Sequence, residues 1–248
     1  RKTGLVEGVP GFPMGSLLDI NVYGLRARIN CFSRNEEEAV GRLLSFFLTG
    51  EAAGAAPILD FRRKETPQEI GGLLFPLLAQ RGIWAMHSGG FHFQGGCLAV
   101  GPSDCGKSTF SHMAMKNGLD LMSDDITLLR ETGEGIEMLP FYSVIFLKHK
   151  AIAPGRDRYK PATLKFLLLP RYGEGSLYTK RIEKKGELLR KIVPQFLWSY
   201  SAAEQKPQKL FVERLCHYPA YEVSWGSRLF HDHTLFKRML DEIVQSEG

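Results

Sequence analysis

Gly101-Pro102-Ser103-Asp104-Cys105-Gly106-Lys107-Ser108 has the spacing G-x-x-x-x-G-K-S, and the acidic pair Asp124-Asp125 follows it after room for one short helix and one strand. Each residue type in the first stretch suits the cradling of a polyphosphate. Glycines permit backbone conformations that a side chain forbids, so successive N–H groups can turn inward toward phosphate oxygens. The Lys107 ammonium can reach the β- and γ-phosphates, and the Ser108 hydroxyl can ligate Mg²⁺. The expected nucleotide-binding set is Gly101, Ser103, Asp104, Cys105, Gly106, Lys107, Ser108 and Thr109, with ATP and Mg²⁺ as the ligands. Asp104 places a negative side chain in a loop meant for anions, which costs little if it points outward and weakens binding if it points inward.

The flanks agree with a loop held between a strand and a helix. Cys97 to Val100 is a short apolar run suited to a buried strand, and Thr109 to Lys116, with Phe110, Met113 and Ala114, reads as a helix that Asn117-Gly118 stops. The helix N-terminus adds its partial positive charge to the loop. Leu119 to Met122 reads as a second buried strand, adjacent to the one entering the loop, placing Asp124 and Asp125 beside the loop at the carboxyl edge where open α/β sheets bind ligands. One carboxylate is then placed to hold Mg²⁺ with Ser108, and the other to orient or deprotonate an attacking hydroxyl. Sequence leaves open which does which.

Upstream of the loop, Trp84 to Val100 forms two extended stretches about Gln94-Gly95-Gly96, a hairpin signal. The first eighty residues read as a small α/β unit. Leu17 to Tyr23, Leu25 to Phe32 and Pro57 to Arg63 are strand-like, and Ser33-x-x-Glu36 and Thr66-x-x-Glu69 are capping boxes, with Pro76 kinking or ending the second helix. Gly50 to Ala56 is the most linker-like stretch, yet it lies inside this unit. The domain boundary is placed at Gly82, giving a small α/β unit over 1–82 and a P-loop core with C-terminal helices over 83–248. Beyond the aspartates, Glu131 to Glu137 reads as a turn, Val144 to Leu147, Leu164 to Leu169 and Tyr221 to Trp225 as strands, Gly186 to Tyr200 as helical around Pro194, and Asp232 to Val244 as an amphipathic helix with Leu235, Met239, Leu240 and Ile243 inward.

Composition bounds the rest. The chain has 248 residues, 44% of them hydrophobic and 24% charged, an ordinary globular balance long enough for a core. Its longest apolar runs fall far short of the roughly 20 residues that span a bilayer, and no charged-then-apolar leader is seen, so no membrane partner is expected. Cys31, Cys97, Cys105 and Cys216 lack C-x-x-C spacing, which speaks against zinc and a disulfide framework and for a reducing cytoplasm. Cys105, at a helix N-terminus, is expected to have a lowered thiol pKa and to be oxidisable. The net charge of +5 comes largely from Lys180-Arg181, Lys184-Lys185 and Arg190-Lys191, interleaved with Glu183 and Glu187. Without neighbouring aromatics for base stacking this reads as a solvated helix face and not a nucleic-acid site, docking of an acidic partner being the sharper alternative.

Taken together, Met86-His87-Ser88, the hairpin, Gly101 to Ser108 and Leu121-Met122-Ser123-Asp124-Asp125 resemble the catalytic core of HPr kinase/phosphorylase and its relatives, over roughly Trp84 to Leu129. The resemblance implies an α/β fold with a phosphoenolpyruvate-carboxykinase-like mixed sheet. It also implies catalytic roles for His87, Lys107, Asp124 and Asp125, a metal held by Ser108, Asp124 and Asp125, and ATP-dependent phosphorylation of a serine on a protein or peptide by an enzyme whose relatives often form oligomers. His92 competes with His87 for its role. Asp104 stands where those enzymes have glycine and Thr109 where the bifunctional enzyme has an acidic residue, so neither HPr as acceptor nor phosphorylase activity is expected to carry over. Its proline-glycine-arginine signature has only a loose echo in Pro154-Gly155-Arg156. Arg156, Arg158 and Arg171 are candidates to neutralise a transition state. A small-molecule hydroxyl kinase and a non-catalytic nucleotide-binding sensor or assembly protein are the alternative readings.

Overall fold

The computed structural model describes residues 16–50, 56–61, 69–142, 145–147, 150–152, 159–173, 177–198 and 201–247, and the chain divides into two compact units, Arg1–Arg81 and Gly82–Gly248. In the first, β1 (Ser16–Val22) and β2 (Leu25–Cys31) form an antiparallel hairpin. Tyr23 and Gly24 turn it with φ of +49° and +87°, the backbone hand that matches strand twist. Ile20, Val22, Ala27 and Ile29 alternate into the core and are fully buried. α1 (Arg34–Leu43) starts in the expected capping box: the Ser33 hydroxyl accepts from the Glu36 N–H and the Glu36 carboxylate accepts from the Ser33 N–H at 2.9 Å. β3 (Ile58–Phe61) pairs with β2 in parallel, which requires a crossover, and α1 lies within it.

The last element of this unit is α2 (Glu69–Ala79), whose end lies just before Gly82. It runs through Pro76 to Ala79, because Ile70, Leu74 and Leu78 share one fully buried face that outweighs the hydrogen bond lost at the proline. The capping box at Thr66 lies outside the described residues, as do Val144 and Pro154-Gly155-Arg156.

In the second unit, β4 (Ile83–His92) and β5 (Gly96–Val100) make the expected hairpin. They are followed by α3 (Lys107–Lys116), β6 (Leu121–Ser123), β7 (Ile126–Thr132), β8 (Gly135–Leu139), the small antiparallel pair β9 (Ile145–Leu147) and β10 (Lys150–Ile152), and the long β11 (Ala162–Tyr172). Then come β12 (Tyr178–Arg181), α4 (Lys185–Ile192), a 3-10 turn at Val193–Gln195, α5 (Ala202–Leu215), β13 (Ala220–Trp225), α6 (Arg228–His231) and α7 (Thr234–Glu247). The eight-stranded sheet runs β12-β13-β11-β5-β4-β7-β8, with β6 also on β4. It is mixed: β5, β11 and β13 are parallel, while β4 and β12 run against their neighbours.

This order corrects one expectation. The strand leading to the aspartates does not adjoin β5, because β4 lies between them and pairs antiparallel with both β5 and β6. Two antiparallel steps restore the direction, so β5 and β6 still end on the same edge. The start of β11 also pairs with β8, Ala162 opposite Met138, which curls the sheet back on itself. Met138 fills the curl, and a Cβ on Gly90 or Gly96 would lie 2.7 Å from its Cε or 2.5 Å from its Sδ. The methionine could swing away, but a Cβ on Gly90 would also lie 2.9 Å from Met122 Cβ and one on Gly96 3.1 Å from the Thr163 carbonyl oxygen, neither of which is a flexible end.

Helices cover both faces. Phe236 of α7 packs on Phe110 of α3 at 5.2 Å and on Phe91 of β4 at 5.5 Å, while Trp84, of opposite parity on β4, packs on Phe211 of α5 at 6.2 Å. α5, with Pro207 inside it, goes unforeseen in the sequence; Ser201 caps it, accepting from the Ala203 N–H at 3.3 Å, and Gln208, Phe211, Val212 and Leu215 bury its inner face. In α7 the buried residues are Phe236, Met239, Leu240 and Ile243, with Phe236 in place of the expected Leu235. Glu137 lies within β8, so the predicted turn narrows to the ends of the β7-β8 hairpin. The basic cluster is split: Lys180 and Arg181 sit on a strand, and Lys185, Arg190 and Lys191 on α4. Among the described residues no helix is long and apolar enough to cross a membrane.

Candidate functional site

The glycine-rich loop leaves β5 at Gly101 and enters α3 at Lys107, as the sequence requires. Gly106 has φ of +115°, and a Cβ there would lie 2.4 Å from the Trp225 ring, so only glycine fits on both backbone and steric grounds. Trp225 also donates its indole N–H to the Cys105 carbonyl at 3.0 Å. The loop thus rests on an aromatic plate from the end of β13, 120 residues away in sequence. At the other end, a Cβ on Gly101 would lie 2.7 Å from Cys105 Sγ, and the thiol would have to turn away to admit it.

Lys107 is buried, and its Nζ donates to the carbonyls of Gly101 at 2.9 Å and Pro102 at 2.8 Å. The ammonium is therefore folded across the loop's mouth. Burial lowers its pKa, and the charges of Cys105, Asp125, Asp124 and Asp104 pull it partly back. Ser103 and Asp104 are exposed; Cys105, Ser108 and Thr109 are half-buried. Asp104 adopts φ of +62°, a left-handed backbone that aspartate tolerates better than most residues. The expectation for Cys105 is overturned: burial pushes its thiol up, and the Lys107 charge and backbone N–H groups only partly offset this.

The carboxylate pair sits in a break between β6 and β7 opposite His87, Ser88 and Gly89. Ile126 N–H donates to the Asp124 carbonyl at 3.0 Å around Asp125, whose φ is +73°. This is the γ-turn of positive φ, a strained conformation of the kind found where a side chain has to be re-aimed. The strain is held by neighbours. Ser88 N–H donates to the Asp125 carbonyl at 2.9 Å, Thr127 Oγ1 donates to the Ser88 carbonyl at 3.1 Å, and Ser123 Oγ donates to the Ile126 carbonyl.

The turn sends the two carboxylates to different surroundings. Asp124 is fully buried, with Oδ1 near Gly89 and the first turn of α3, where Ser111 Oγ also points. Burial raises the pKa of Tyr159, and the charge of Asp124 adds to that rise, which places the phenol within electrostatic reach of the carboxylate. Asp125 is partly open, and its Oδ1 lies 3.3 Å from His87 Nε2. The other ring nitrogen of His87, Nδ1, lies 3.2 Å from the Gln195 Oε1 in the 3-10 turn. His92, the competing histidine, is exposed near the far end of β4, opposite Gly96.

A cleft of about 610 Å³ opens beside the loop. The loop residues Val100 to Cys105, the end of β11 with Glu222 of β13, and Arg190, Lys191, Pro194 and Gln195 line it. Glu222 accepts from Lys191 at 2.8 Å and lies 3.9 Å from Arg171. The hydrogen bond from Lys191 holds the Glu222 carboxyl below its ordinary value despite partial burial. Of the arginine candidates, Arg171 lines this cleft, and Arg156 and Arg158 lie outside the described residues. Trp225, Gln195, Arg190, Lys191 and Glu222 were not anticipated as site residues. Arg190 and Lys191 belong to the cluster expected to be a solvated face; no local pattern marks the other three.

The residues present fit a magnesium polyphosphate. The loop is a cradle that a Cβ at Gly106 would break, a lysine crosses its mouth, and a hydroxyl and two carboxylates lie on the same edge. Among the described residues no group of three or more His, Cys, Asp or Glu could hold a metal ion, so a cation here would share its shell with water and substrate oxygens, as Mg²⁺ does.

No family model and no curated protein matches the chain. Among solved structures it is similar to the HPr(Ser) kinase/phosphatase from Coxiella burnetii, at 12% identity and a TM-score of 0.41, over 66% of this chain and 99% of that one. A likeness this distant assigns no residue a role.

Proposed function

We propose that the second unit is a Mg²⁺-ATP-dependent kinase that transfers the γ-phosphoryl group to a hydroxyl, that of a serine on a protein or peptide. The observation that carries this reading is the His87–Asp125 pair at 3.3 Å on the same sheet edge as the loop. A glycine-rich loop alone binds nucleotide; a partly open carboxylate backed by an imidazole beside it is what an attacking hydroxyl needs.

The backbone amides of Ser103 to Thr109 hold the phosphates, and Lys107 exchanges its two carbonyl acceptors for phosphate oxygens. Ser108 and Asp124, which lies against the first turn of α3, would hold Mg²⁺, which supplies charge neutralisation across the phosphates. Asp125 accepts the acceptor's proton as the new O–P bond forms and the bond from the γ-phosphorus to the bridging oxygen breaks, releasing ADP. His87, anchored at Nδ1 by Gln195, orients Asp125 and shares the charge that gathers there.

The test is to incubate the full chain with Mg²⁺-ATP and serine-bearing peptides and compare wild type with Lys107→Ala by mass. Addition of one phosphate that requires the lysine supports the reading. ADP without phosphorylated acceptor, or binding without turnover, replaces it with a nucleotide sensor.

A further inference from the structure

The cleft beside the loop shares Ser103 to Cys105 with the proposed phosphate cradle and extends well beyond it, to Arg171, Arg190 and Gln195. Its loop side is the ascending limb, Val100 to Cys105, and does not include Lys107 or Ser108. Gln195, which lines it, touches His87, which touches Asp125, so the cleft is joined to the proposed base by a short chain of side-chain contacts. Its lining carries Arg171, Arg190 and Lys191 against the carboxylates Glu222 and Asp104, a net excess of one positive charge. Asp104 is exposed on the loop, so water screens its charge more than that of Glu222. Glu222 holds Lys191 in place and lies within reach of Arg171, so two of the cations are pre-positioned before any ligand arrives.

Building on the kinase reading, the geometry points to this cleft as the acceptor site, and to the acceptor as a serine flanked by acidic residues. Arg190, with Arg171 and Lys191, reads the carboxylates. The surface leading out of the cleft favours a chain over a small molecule. Tyr172, 56% exposed, lines the cleft, and Tyr178, 61% exposed, stands on β12, the edge strand of the sheet. An extended segment gains apolar contact from such rings and has an edge to run along.

The experiment measures binding and transfer separately, using the full chain and two labelled synthetic peptides. One has aspartates on both sides of a single serine; the other has asparagines there. Anisotropy gives peptide affinity, mass gives phosphate transfer, and a fluorescent ATP analogue with Mg²⁺ gives nucleotide affinity.

The aspartate peptide is expected to bind about tenfold more tightly at low salt, and Arg190→Gln to remove about fivefold of that, while ATP affinity stays within about twofold. Arg190→Glu, on an exposed helix position that tolerates either charge, should turn the preference toward a lysine-flanked serine. Equal binding of the two peptides overturns the inference, as does a loss of ATP affinity in Arg190→Gln, which would give these cations to the nucleotide. Arg190-dependent binding of the aspartate peptide without transfer leaves the cleft assignment standing and removes the kinase reading. Transfer to both peptides with equal KM does the reverse.

Discussion

Trp225 hydrogen-bonds the carbonyl of Cys105 at 3.0 Å and lays its ring where the next residue would otherwise carry a side chain. The curl of the loop is therefore set by a residue on β13, far from the motif that announces it. Gly106→Ala is expected to fail twice, by forcing φ of +115° on a residue with a Cβ and by driving that Cβ into the ring. Nucleotide affinity should be lost and thermal stability should fall. Trp225→Phe keeps a ring and loses the hydrogen bond, at a cost of about 1 kcal/mol. Denaturant titration and binding of a fluorescent ATP analogue check both variants.

The γ-turn at Asp125 and its contact with His87 predict a separation of binding from chemistry. Asp125→Asn and His87→Gln should each lower phosphoryl transfer, by about 10²-fold or more for the carboxylate, which is the proposed base. Nucleotide affinity should stay within about threefold, since neither side chain holds the phosphates. Parallel losses in affinity and turnover would count against the assignment.

Burial of Lys107 predicts a pH dependence of stability. Its folded pKa lies below its ordinary value of 10.5 because of burial. Between those two values the unfolded chain holds more protons, so stability rises with pH as 10.5 is approached. Lys107→Met should remove that rise. Thermal melts of both proteins from neutral to alkaline pH, without nucleotide, make the comparison; parallel curves would refute it.

Glu222 gives a slope of the same sign in the acid range, for a different reason. Its folded carboxyl lies below the ordinary value, chiefly through the Lys191 hydrogen bond, so its contribution is present above the unfolded pKa and is lost as pH falls through the folded one. Acid should thus loosen the attachment of α4 to β13. Glu222→Gln should shrink this acid dependence and weaken the cleft's organisation at neutral pH, which hydrogen exchange in α4 reports.

In the first unit, Ser33→Ala removes the hydroxyl that accepts from Glu36 and should cost about 1 kcal/mol of stability. Nucleotide binding by the second unit should be unchanged. Denaturant unfolding followed by helix signal measures the difference.

Elements whose hydrogen bonds close within a few residues were legible in the amino-acid order. The hairpin of β4 and β5, the capping box at Ser33, the run from β5 through the loop into α3, and the placement of two carboxylates at a strand's end all follow from local backbone chemistry and apolar spacing. α5 was missed because Pro207 argues against a helix locally, while burial of Phe211, Val212 and Leu215 decides the matter from outside it.

What only the tertiary structure settled is what meets across the sheet edge. The insertion of β4 between β5 and β6, Trp225 beneath Gly106, Gln195 on His87, and the turning of Arg190 and Lys191 toward the loop all join residues from distant parts of the chain. The rise in the Cys105 pKa belongs with them, because a helix N-terminus is visible in the sequence and the desolvation that opposes it is not. Local order specifies the pieces through short-range hydrogen bonding and side-chain period; burial and charge depend on neighbours that only the packed fold supplies.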